Sequence, residues 1–142
     1  MKPTRRQARA DALQILYQLD VNHGLKPSHA LLHFESLYSE RGETDPFTHR
    51  LVTGAIDKLA ELDPLIEKYS EHWRVDRMAV VDRNILRLGA FEMFHCDDIP
   101  ATVTINEMVE VAKQFGSESS AAFVNAILDR MKGDINRPEK AP

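Results

Sequence analysis

Apolar positions recur along most of this chain three or four residues apart, and capping residues, glycines and prolines divide the pattern into segments. Thr4 can cap a first helix from about Arg5 to Asn22, with Gly24 as its stop. Pro27-Ser28 opens a second segment, where Leu31, Phe34, Leu37 and Tyr38 share a face until Gly42. Asp45-Pro46 reads as an N-cap followed by proline at the first helical position. Its helix carries Leu51, Val52, Ala55, Ile56, Leu59 and Leu62 on one stripe. Asp63-Pro64 repeats the device and predicts a short helix with Leu65, Ile66 and Tyr69 that ends near Trp73.

From about Arg77 to Cys96, the residues Ile85, Leu86, Leu88, Met93 and Phe94 surround much of the circumference. That helix should be central and buried on several sides. Ile99-Pro100 breaks it, and Thr104-Ile105-Asn106-Glu107 resembles a capping box for a helix striped by Met108, Val109, Ala112 and Phe115. Gly116 closes that helix. Ser117 to Ser120 offer caps for a last one with Phe123, Val124, Ile127, Leu128 and Met131, ended by Gly133. No run alternates with period two long enough to build a sheet, and no repeat of solenoid length is present. The expectation is an all-α bundle of about seven helices, one domain over residues 1–133 followed by a flexible tail over 134–142.

At 142 residues the chain matches the length of about one domain, and 43% hydrophobic with 28% charged residues is ordinary globular composition. Apolar runs are far shorter than the roughly 20 residues a membrane span needs, and no apolar signal core follows the basic start. The one cysteine, Cys96, can form neither an internal disulfide nor a cysteine-built zinc site and should behave as a small buried apolar residue. These features predict a soluble, cytoplasmic protein.

The net charge of −4 is unevenly spread. Lys2, Arg5, Arg6 and Arg9 stand together without an acid among the first nine residues, which leaves 14 cations against 22 acids elsewhere, a formal −8. Such segregation points to one localised basic patch on an acidic body.

Catalytic motifs are not seen: no glycine-rich phosphate loop, no dinucleotide fingerprint, no nucleophile elbow. His29 and His33 are spaced as a zinc pair would be, but no further ligand cluster accompanies them. Glu107 and Glu110, with Lys113 after them, read as a solvated helix face rather than an acid–base couple. The chain is therefore expected to be no enzyme, with no cofactor and no metal.

The basic start breaks a local rule. Arg5, Arg6 and Arg9 fall at the positive end of the first helix dipole, where each cation costs a few tenths of a kcal/mol. A polyanion would compensate, and arginine suits phosphates and bases because its planar fork donates in pairs and stacks. A merely solubilising basic end fits the pattern equally well. Arg83 and Arg87 stand four apart on the central helix and, taken alone, read as a solvated edge paired with Asp82 and neighbouring acids. Tyr17 and Phe123 could stack on bases, although helical aromatics are more often core residues.

Several ordered segments resemble one family. Arg5-Arg6-Gln7-Ala8-Arg9 with Ala12-Leu13-Gln14-Ile15-Leu16-Tyr17 is similar to the opening of the NusB family of bacterial transcription antitermination factors. Asp82-Arg83-Asn84-Ile85-Leu86-Arg87-Leu88 with Phe91-Glu92 resembles that family's central helix. Ile99-Pro100, Val103, Ile105-Asn106-Glu107, Val111-Ala112-Lys113 and Phe123-Val124-Asn125 complete its C-terminal signature, so the resemblance runs from about Arg5 to Met131.

The resemblance implies two packed helical subbundles and a non-enzymatic role. Members bind single-stranded boxA RNA with NusE, a small-subunit ribosomal protein. Together with other Nus factors they help assemble an antitermination complex on RNA polymerase, notably during ribosomal RNA transcription. Carried over by position, RNA binding falls to Lys2, Arg5, Arg6, Arg9, Arg87, Phe123 and Asn125, and partner-protein binding to Tyr17, Asp82 and Arg83. Phe123 and Asn125 also fit structural roles.

Relatives occur as monomers and homodimers, and no residue decides between them. Ala126 stands where the family motif commonly has glycine, Gln7 where some relatives have arginine, and Ser119 and Ala122 where some carry charge. Similar domains also form the RNA-binding part of ribosomal RNA cytosine methyltransferases, but this chain is expected to leave no room for a methyl-donor domain. A third reading is a helical adaptor that binds protein only.

Overall fold

A computed structural model of the chain describes residues 4–37 and 44–135. Lys2, the end of the second segment with Tyr38 and Gly42, and the tail from Asn136 lie outside the described residues. Among the described residues seven α-helices follow one another: α1 (Arg5–Val21), α2 (Pro27–Leu37), α3 (Pro46–Asp57), α4 (Leu59–Tyr69), α5 (Val80–His95), α6 (Ala101–Phe115) and α7 (Ser120–Asp134). A 3-10 turn at Val75–Arg77 precedes α5, and no strand occurs among the described residues. No described helix is long and apolar enough to cross a membrane.

The first helix starts as its sequence dictates, with the Thr4 hydroxyl accepting the Gln7 N–H at 3.0 Å. Ala8, Ala12, Leu13, Ile15 and Leu16 are buried along it. The Thr48 hydroxyl donates to the Ala8 carbonyl at 3.0 Å and pins α3 across α1. Asp45 caps α3 through the Phe47 N–H at 2.7 Å, with Pro46 in the first turn. Helix α5 is the shared wall: it packs against α1, α3, α4, α6 and α7. Its buried residues run from Asn84 to Met93 with only Arg87 interrupting, so the expectation of a central helix holds. Around it the α1–α3 group and the α4–α7 group share one continuous core.

Two helix starts fall elsewhere than expected. Pro64 lies inside α4, which begins at Leu59 after a break at Lys58. The proline removes one helical hydrogen bond there, and Asp63 is occupied by Arg87 rather than by a cap. Helix α6 starts at Ala101, directly after Pro100, so Thr104 and Glu107 form no capping box. The Thr104 hydroxyl instead donates to Glu92 inside the core, and Glu107 pairs with Arg6.

Helix α4 also stops short of Trp73. The His72 N–H reaches back to the Glu67 carbonyl at 2.8 Å. Glu71 and His72 take positive φ of 60° and 68°, the left-handed reversal that ends many helices.

Candidate nucleic-acid interface

The start of α1 gathers the basic residues, but the structure sorts them into different roles. Arg5 is exposed and lays its guanidinium 3.9 Å from the centre of the Phe47 ring on α3. Arg6 reaches α6: its Nε donates to Glu107 Oε2 at 2.6 Å and its Nη2 to Oε1 at 3.2 Å. Arg6 remains 59% exposed while Glu107 is 23% exposed. Hydrogen bonding and the charge of Arg6 hold the Glu107 carboxyl below its usual range, against a smaller opposing effect of burial.

Arg9, expected with Arg5 and Arg6 in one basic patch and among the RNA-binding residues, lies inside the fold instead. It is 2% exposed, and both ends of its fork donate to Glu92 of α5 at 2.8 Å. Glu92 is fully buried and also accepts the Thr104 hydroxyl at 2.9 Å. One α1 arginine thus ties α1 to α5 and, through Glu92, to α6. Arg9 lies on nearly the same helix face as Arg5 and Arg6 but a turn further along α1, where α5 and α6 pack over it.

A further cation stands beside this face that the sequence did not single out. Arg50, one turn along α3 from Phe47, grips Asp98 of the α5–α6 connection at 3.1 and 2.7 Å. Hydrogen bonding from Arg50 pulls the Asp98 pKa down to about 2, with Arg50 and Arg5 adding their charge. Nothing in the periodicity of α3 could have revealed Arg50, because its place beside α1 depends on how the helices pack. The cations at the start of α1 are therefore compensated from within the chain, by Glu107, Glu92 and the Phe47 ring.

The central-helix arginines lie elsewhere. Arg83 donates twice to Asp20 at 2.7 Å. Arg87 forks onto Asp63 at 2.9 Å and also reaches Asp20 at 3.0 Å. These partners come from α1 and α4, not from Asp82 as expected. Burial raises the Asp20 pKa, but hydrogen bonds from Arg83 and Asn84 and the nearby guanidinium charges outweigh it and bring the value to about 2. Fourteen residues of helix place this cluster about 20 Å along α1 from Arg6. Arg87 is thus not brought to the arginine face, and its fork is already committed.

Of the other expected site residues, Tyr17 is 41% exposed on α1 and, with Leu13, Gln14, Gln18, Val81 and Phe115, lines a cavity of about 420 Å³. Asp82, half-buried beside Val81, keeps one carboxylate oxygen buried without a hydrogen-bond partner. Phe123 is half-buried against Trp73, ring centres 6.0 Å apart, and Asn125 is exposed on α7. Cys96 is buried, and no three potential ligands group to hold a metal among the described residues.

Comparison with known proteins places this geometry in context. The model of the NusB family matches residues 6–132. A transcription antitermination protein NusB from Bacillus licheniformis is 44% identical over 131 residues, covering 92% of this chain and 98% of that protein. The solved NusB of T. maritima superposes with a TM-score of 0.83 at 34% identity, over 94% of each chain. A crystal structure of antitermination factors NusB and NusE in complex with dsRNA aligns with a TM-score of 0.77 at 27% identity, over 91% of this chain and 96% of that one.

Proposed function

The chain belongs to the NusB family of transcription antitermination proteins, and from that premise we propose that it binds boxA-type single-stranded RNA jointly with NusE. The complex would then assemble with other Nus factors on RNA polymerase to suppress termination, notably in ribosomal RNA transcription. The role is binding rather than catalysis, carried out in the cytoplasm by one domain. The observation that carries the reading is the exposed guanidinium pair Arg5–Arg6 at the open end of α1, next to Arg50, on a body of net negative charge. Arginines spaced along one surface suit successive phosphates, and Arg5, already against an aromatic ring, presents a planar face to a base.

Within this proposal Arg5 and Arg6 contact RNA directly, and Lys2 adds charge. Arg9 acts from inside by fixing α1 on α5 through Glu92, because direct contact would require it to abandon a buried carboxylate. Tyr17 and Asp82, with Arg83 beside them, belong to the NusE surface around the cavity at Val81 and Phe115. Phe123 and Asn125 form an outlying RNA contact. Arg87 shapes the Asp20 cluster rather than meeting phosphate.

Fluorescence anisotropy with a boxA RNA and a scrambled control, with and without NusE across a salt series, tests the reading. BoxA should be preferred and bound more tightly with NusE present. Replacing Arg5 and Arg6 together by alanine should weaken binding at least several-fold and flatten the salt dependence. Absence of a boxA preference even with NusE would leave a protein-only adaptor.

A further inference from the structure

Two of the three exposed arginine forks on the proposed RNA surface are occupied by the protein's own carboxylates. Glu107 meets Arg6 with both oxygens, at 2.6 and 3.2 Å, and Asp98 meets Arg50 with both, at 2.7 and 3.1 Å. Glu107 engages Arg6 side-on through Nε and Nη2 and Asp98 engages Arg50 end-on through Nη1 and Nη2, both of them two-oxygen arrangements that a phosphate also adopts. Both pairs are surface pairs: Arg6 is 59% exposed, and Arg50 and Asp98 are 40% and 52% exposed. Pairs of this kind contribute little to folding, so neither is required to hold the helices together. The buried Arg9–Glu92 pair already ties α1 to α5.

We propose that Glu107 and Asp98 are internal competitors for RNA phosphate, and that Arg50 is a further RNA-binding residue held in reserve by Asp98. The inference rests on the RNA-binding role proposed for Arg5 and Arg6. RNA binding is then an exchange: each fork leaves its carboxylate and takes a phosphate, and the freed carboxylate recovers water and a counterion. The exchange lowers affinity for every RNA, so the protein alone binds weakly and NusE supplies the added contacts that favour the bound state. It also mutes the salt dependence, because the cation taken up by a freed carboxylate offsets one released from the RNA.

The test is a pair of double-mutant cycles, with boxA RNA affinity measured in the presence of NusE. Glu107→Gln keeps the side chain's size, removes its charge and should tighten binding about three- to tenfold. It should also steepen the log–log salt slope by up to about 0.7, the single-strand value per phosphate. In an Arg6→Ala background the same change should gain less than twofold. Asp98→Asn should behave likewise and lose its gain beside Arg50→Ala, which by itself should weaken binding.

Glu110→Gln is the charge control: Glu110 lies one turn from Glu107, pairs with Lys113, and acts on Arg6 by longer-range charge without occupying its fork. Equal gains from Glu110→Gln and Glu107→Gln, or a Glu107→Gln gain that survives Arg6→Ala, would mean general electrostatics and overturn the competition. An Arg50→Ala variant with unchanged affinity would remove Arg50 from the RNA surface. Thermal unfolding confirms that each variant is folded. Failure of the unaltered protein with NusE to prefer boxA would refute the RNA-binding reading itself, whereas normal binding without coupling refutes only the exchange.

Discussion

Arg6 and Arg9, three residues apart, show how burial changes what one residue type does. Arg9 and Glu92 are both nearly inaccessible, so truncating either strands a charge in the core. Arg9→Ala should therefore cost about 3–5 kcal/mol in urea unfolding, whereas Arg6→Ala should cost no more than about 1 kcal/mol because its pair with Glu107 is largely solvated. Replacing both buried partners, as in Arg9→Met with Glu92→Leu, should recover much of the loss, since no orphaned charge remains. An Arg9→Ala cost as small as that of Arg6→Ala would show that the Glu92 pair does not anchor α1. Loss of RNA binding by Arg9→Ala would then have to be compared with its loss of stability before any contact was inferred.

At the scale of helices, the closeness of α3 to α5 rests on Gly54. A Cβ added there would stand 2.0 Å from the Phe91 ring, which is itself stacked on His95 at 5.5 Å between ring centres. Gly54→Ala should therefore destabilise by about 1–3 kcal/mol despite alanine's better helix propensity. Gly89 is the contrast. Its added Cβ would stand 2.9 Å from both methyl groups of Leu128, the end of a flexible side chain. Gly89→Ala should lie within about 1 kcal/mol of the parent, because the propensity gain offsets the adjustment. Thermal melts of the two variants decide it, and equal shifts would show that Phe91 can move aside.

Across the whole molecule, the Asp20 cluster joins α1, α4 and α5 by charge, away from the arginine face. The folded-state pKa of Asp20 is about 2, below its ordinary 3.8. Its ionised form therefore stabilises the fold above about pH 4, and that contribution is lost as pH falls from about 4 toward 2. Asp20→Asn should cost about 2 kcal/mol at neutral pH and make stability less steep across that acid window. Asp98, with the same depressed pKa but an exposed setting, should change the acid limb much less on Asp98→Asn. Denaturant midpoints measured from pH 2 to 7 provide the comparison. An unchanged acid limb in Asp20→Asn would remove Asp20 from the groups that govern acid unfolding.

The sequence by itself determined what depends on neighbours along the chain. Thr4 and Asp45 marked helix starts, apolar spacing marked the buried faces, and the crowding of Ile85, Leu86 and Leu88 made α5 central. The ordered motifs also carried the family. Tertiary structure decided what depends on residues far apart in sequence. Asp63 and Thr104 have the sequence signature of caps, but packing gave them to Arg87 and Glu92. Arg5, Arg6 and Arg9 are one basic run on paper. The packing of α5 and α6 over the next turn of α1 left two at the surface and set the third on a carboxylate 83 residues away. Arg50 joined them only because α3 crosses α1. Periodicity states which face a side chain is on, but only the packed helices state what lies opposite it, and for an arginine that partner determines its role.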